Sequence, residues 1–83
     1  MRKHAYAVKA TWDDEAKVWV AESEDVPGLA TEAHTLEALI AKLRVIIPEL
    51  LEANGELPKR ARGGRDLPIE LLAQYHERIR LAS

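Results

Sequence analysis

A run of apolar residues at helical spacing limits the folds open to this chain more than any other feature: Leu36, Leu39, Ile40, Leu43, Ile46, Ile47, Leu50 and Leu51. Intervals of three and four put them on one side of an α-helix, and such a stripe has to be buried. Thr35 before it suits an N-cap, and Asn54-Gly55 after it suits a stop. Pro48 sits inside the pattern and removes one helix hydrogen bond, so a kink or a split near Ile47 is predicted. The chain has 83 residues, which is room for one domain, 1–83, and one thin core. The helix must therefore find its cover within that domain.

The cover is legible upstream. Tyr6, Val8, Ala10 and Trp12 alternate with Ala7, Lys9 and Thr11, the period of a half-buried strand. A polar stretch, Asp13-Asp14-Glu15-Ala16-Lys17, leads to a second strand at Val18-Trp19-Val20-Ala21-Glu22-Ser23, which completes a hairpin. Pairing Trp12 with Val18 and Ala10 with Val20 gathers Val8, Ala10, Trp12, Val18 and Val20 on one strongly apolar face. That register puts Trp19, Ala21 and Ala7 on the other face. Pro27-Gly28 suits a type II turn, a structural position, and leads into a short third strand at Leu29–Ala33.

The end of the chain is ambiguous on local grounds. Leu67, Ile69, Leu71, Ala73, Tyr75, Ile79 and Leu81 alternate as in a strand, while Ile69, Leu72, Tyr75 or His76, and Ile79 also fit a helix. Both readings stay open here. Before it, Lys59, Arg60, Arg62 and Arg65 make a basic loop with Gly63-Gly64.

Catalytic equipment is not recognisable. There are no cysteines, so disulfides, thiolate chemistry and Cys-based zinc sites are out. Ser23 and Ser83 are the only serines, and no nucleophile elbow or phosphate-binding glycine loop is present. His4, His34 and His76 are too scattered to propose a metal site. Asp13, Asp14 and Glu15, with Glu22 near them, read as a solvated hairpin tip before they read as metal ligands. No catalytic residue, metal or cofactor is expected.

Twelve basic against fourteen acidic residues give a net charge of -2, which does not suggest a general nucleic-acid binder. The basic loop is the exception: Lys59, Arg60, Arg62 and Arg65 are candidates for phosphate contact or for an acidic partner surface. No aromatic residues are interleaved for base stacking. One helix covers one face of a sheet, so the face bearing Ala7, Trp19 and Ala21 is expected to stay open and to serve as an interface. The apolar runs are too short to span a membrane, and no signal-peptide core follows Met1, so a cytoplasmic protein without membrane contact is expected.

Much of the chain resembles the HicB antitoxin-like domains of bacterial toxin–antitoxin systems, in a short branch of that family. The residues that carry the likeness are Trp12-Asp13 with Glu15-Ala16, Val18-Trp19-Val20-Ala21, Asp25-Val26-Pro27-Gly28-Leu29, Thr31-Glu32-Ala33 with Thr35, Ile47-Pro48-Glu49-Leu50-Leu51 with Asn54-Gly55, and Leu67-Pro68-Ile69-Glu70-Leu71. The resemblance implies an α+β domain of order β-β-β-α-β. Its sheet is of antiparallel type with one helix on one face, a truncated ribonuclease H-like form. It implies a strand over Leu67–Leu81. As for function, it implies a non-catalytic module that binds a small HicA-like ribonuclease toxin and forms dimers or tetramers with itself. The segment after Leu81 is too short for the DNA-binding domain that many such antitoxins carry.

Overall fold

The computed structural model describes residues 5–57 and 67–82. Strands β1 (Tyr6–Asp13), β2 (Val18–Glu22) and β3 (Ala30–Ala33) precede helix α1 (Leu36–Ala53), and β4 (Ile69–Gln74) follows it. The expected α+β class and β-β-β-α-β order hold. The sheet order is β3-β2-β1-β4. β1, β2 and β3 pair antiparallel, whereas β4 joins β1 in parallel, so the sheet is mixed. The reason is topological: a crossover helix after β3 carries the chain back to the end at which β3 began, and the next strand must run the same way.

The hairpin register differs by one residue from the expected pairing. Ala10 faces Ala21, Trp12 faces Trp19, and Asp13 faces Val18. Turn chemistry decides it. The Asp13 carboxylate accepts the N–H groups of Glu15 and Ala16 at 3.1 and 3.2 Å, and the Asp13 carbonyl accepts Lys17 N–H at 2.7 Å. Lys17 adopts a left-handed φ of 58°. The loop therefore closes on Asp13 and Val18, one residue tighter than the expected loop, and a slip of one residue exchanges the two faces.

The core thus takes Ala21 in place of Val20. Val8, Ala10, Ala21 and Ala33 lie buried with Leu39, Leu43, Ile47 and Leu51 of the helix. Three alanines on the sheet let the helix approach closely, and the leucines and isoleucine fill the gap. Val26 and Leu29, either side of the Pro27-Gly28 turn, close one end of this core.

The helix begins as expected, with Thr35 Oγ1 accepting Ala38 N–H at 3.0 Å. It ends in a Schellman motif: Glu56 N–H reaches the Leu51 carbonyl and Gly55 N–H the Glu52 carbonyl, with Gly55 at φ +69°. Pro48 does not split it; the 18 residues form one helix. The missing N–H costs one bond, and burial of Leu43, Ile47 and Leu51 outweighs that cost.

Candidate functional site

Ser23 and Asp25 shape one end of the sheet. Beyond β2 the chain stops pairing through its backbone and uses side chains. Asp25 Oδ2 accepts Ala7 N–H at 2.8 Å, and Ser23 Oγ donates to the Ala7 carbonyl. Ser23 Oγ also accepts the N–H groups of Asp25 and Val26, which fixes the loop. Val26 then opens the type II turn, in which Leu29 N–H reaches the Val26 carbonyl at 3.1 Å across Pro27 and Gly28. Gly28 has φ +86°, as that turn requires. Asn54 Nδ2 donates to the Pro27 carbonyl and ties the turn to the end of the helix.

This loop walls a wide cleft of about 740 Å³ that runs between Lys9 and the edge of β4. Glu22, Glu24, Asp25 and Glu70 line it, with Lys9 among them. The cleft is therefore acidic, although the chain as a whole is nearly balanced.

A second hollow, of about 380 Å³, lies between the helix and β4. The helix backbone approaches β2 and β3 closely and leaves β1 and β4 less covered. Leu43, Ile47 and Ile40 form one wall of the hollow, and Leu67, Ile69 and Leu71 form the other. It is an apolar groove open at the sheet edge.

Three aromatic side chains meet at the opposite end of the helix face. Trp12 and Trp19 pack edge to face with centroids 5.4 Å apart, and Tyr75 stacks on Trp12 at 6.0 Å. Trp12 Nε1 donates to Asp14, which also pairs with Lys17 Nζ at 2.9 Å. Both contacts hold the Asp14 carboxyl below its usual range, the Lys17 hydrogen bond first. The Tyr75 hydroxyl is pushed above its ordinary range, chiefly by its hydrogen bond with Glu77.

The expected grouping of Ala7, Trp19 and Ala21 on one open face does not form. Ala21 is fully buried against the helix. Trp19 shares its face and is half-buried, and Ala7 lies exposed on the other side. The helix-free face carries Lys9, Thr11, Val20, Glu22, Glu70 and Leu72 instead. The basic candidates Lys59, Arg60, Arg62 and Arg65 lie outside the described residues, as does His4. His34 Nδ1 lies 3.1 Å from the Lys17 carbonyl, a structural contact. Among the described residues no three His, Asp or Glu side chains converge as metal ligands, and no helix is long and apolar enough to cross a membrane. Sequence reasoning missed the apolar groove, whose two walls come from segments distant in sequence, the helix and residues 67–71.

Residues 5–83 match the model of a family described as a domain of unknown function, DUF1902. The chain belongs to the DUF1902 family. Among solved structures it is similar to the hypothetical protein TTHA1013 from the extremely thermophilic bacterium Thermus thermophilus, at 51% identity and a TM-score of 0.66. That alignment covers 94% of this DUF1902 chain and 100% of the other. None of the curated proteins matches significantly.

Proposed function

We propose that this chain is a non-catalytic protein-binding module of the HicB antitoxin type, which blocks a small basic ribonuclease resembling the HicA toxins and associates with itself. The acidic cleft carries this reading. Glu22, Glu24, Asp25 and Glu70 gather around one lysine on the side of the sheet that the helix leaves free. A field of one sign over a broad concavity steers and orients an oppositely charged protein surface. The cleft is wide and open, a shape that suits a protein contact better than an enclosed small molecule. The antitoxin-like sequence pattern from Trp12 to Gly55 supports the same partner class. The module acts in the cytoplasm, where such a toxin meets RNA.

The test is co-expression with the product of a neighbouring gene that encodes a small basic protein. This chain rescues cells arrested by that product and co-purifies with it. A variant with Glu22→Lys and Glu24→Lys loses both effects while remaining folded. Absence of such a neighbour, together with no rescue of toxin-arrested cells, contradicts the proposal.

A further inference from the structure

Residues 75–82 follow β4 without regular structure, and every one of them is exposed. Ile79 is 76% exposed and Leu81 86%. Arg78 and Arg80 alternate with them, so residues 78–81 have one apolar and one basic side when extended, with Glu77 preceding them on the apolar side. Two large aliphatic side chains held in water at this spacing are half of an interface.

The other half lies beside β4. Among the described residues this strand is at the edge of the sheet. Tyr6 N–H donates to the Pro68 carbonyl at 2.9 Å, so the backbone groups of Pro68 point toward β1. By alternation along the strand, those of Glu70 and Leu72 do the same, and those of Ile69, Leu71 and Ala73 point outward. Ile69 and Leu71 also line the apolar groove under the helix. Among the described residues a free ladder edge thus runs along an unfilled apolar groove, the arrangement that accepts an added strand.

We propose that segment 75–81 of a second copy occupies this edge and groove, and that two copies exchange these segments about a two-fold axis at Tyr75. The proposal rests on the self-association in the functional reading above and names its surface. The segment cannot reach its own β4, because that needs a tight turn and residues 75–82 contain no Gly, Pro, Asn or Asp. Antiparallel pairing about Tyr75 sets Leu71 opposite Ile79 of the partner subunit and Ile69 opposite Leu81 of the partner subunit. Both pairs lie on the groove side. On the far side Glu70 meets Arg80 of the partner subunit, an opposite-charge cross-strand pair. A shift of one residue turns Ile79 and Leu81 away from the groove, and a shift of two sets Glu77 against Leu71 or carries Leu81 away from Ile69. Self-complementarity of this kind is what an isologous dimer requires.

Site-directed cross-linking tests the register, since the chain has no cysteine of its own. Leu72 and Arg78 of the partner subunit form a non-hydrogen-bonded pair in this arrangement, close enough for a disulfide once both are replaced. Full-length protein carrying Leu72→Cys and Arg78→Cys oxidises to a covalent dimer in near-complete yield. The combination of Leu72→Cys with Arg80→Cys, a diagonal pair in this register, gives at least several-fold less. In sedimentation, Ile79→Asp with Leu81→Asp turns the dimer into a monomer whose circular dichroism is unchanged. A wild-type dimer that survives these aspartates overturns the exchange and leaves self-association through another surface standing. So does a dimer in which Leu72→Cys with Arg78→Cys gives no disulfide between chains. A wild-type monomer overturns both.

Discussion

Tyr75 stacks on Trp12, with ring centroids 6.0 Å apart and planes 22° from parallel, at the point where the chain leaves the sheet. Trp19 completes the group at 6.2 Å from Tyr75. The stack anchors the start of the exposed segment and fixes its direction. Aromatic pairs of this kind contribute about 0.5–1.5 kcal/mol beyond the area they bury. Tyr75 is 54% exposed, so Tyr75→Ala is expected to destabilise only modestly in urea unfolding, with a shift in tryptophan emission. Unchanged emission contradicts the stack.

The hairpin register makes opposite forecasts for two alanines. Ala21→Leu overfills the contact between sheet and helix and is expected to destabilise by about 1–3 kcal/mol. Ala7→Leu adds its bulk to an exposed position and stays within about 0.5 kcal/mol of the parent. Thermal unfolding of the two variants checks this, and a reversed order contradicts the register.

Gly28 has φ +86°, and a Cβ added there meets Leu50 Cδ2 at 3.6 Å, an ordinary contact. The cost of Gly28→Ala is therefore conformational, about 1–2 kcal/mol from the left-handed backbone. Chemical denaturation measures it. A neutral result means that the turn relaxes.

The exposed pair Asp14–Lys17 gives a signed pH forecast. Asp14 is held below its ordinary 3.8, so its contribution is present above that value and is lost as pH falls through the lowered pKa. Lys17 is held above its ordinary 10.5, so its contribution is present below that value and is lost as pH rises through the raised pKa. NMR titration of the Asp14 carboxyl is expected to give a midpoint below 3.8 in the parent and a higher one in Lys17→Met. Coincident curves contradict the pairing.

Much of the fold was legible in the chain. The stripe from Leu36 to Leu51 named the helix, Thr35 and Asn54-Gly55 named its ends, and alternation from Tyr6 to Trp12 named β1. The hairpin register was not, because either register supplies apolar residues to both faces. The choice lay in how the Asp13 carboxylate captures Glu15 and Ala16 N–H, a contact that spacing does not reveal. Local spacing also left Leu67–Leu81 open between strand and helix. Only Ile69–Gln74 joins the sheet: its pairing with β1 ends at Gln74 opposite Thr11, and residues 75–82 leave the ladder. Of the expected site, Ala7 was separated from Trp19 and Ala21 by that one-residue slip. The acidic cleft and the apolar groove assemble residues distant in sequence, so they emerge only from the folded chain.

Glu70 and Arg80 test the exchange energetically. Glu70→Arg alone is expected to weaken the dimer by a few tenths to about 1 kcal/mol, and adding Arg80→Glu to the same chain restores it. Equal loss in the single and double variants contradicts the pairing.

Sedimentation velocity of the wild-type protein across a wide concentration range tests the central claim, that this is a self-associating binding module, most directly. The account predicts a dimer that dissociates on dilution and is abolished by Ile79→Asp with Leu81→Asp. A single monomeric species at every concentration would contradict it.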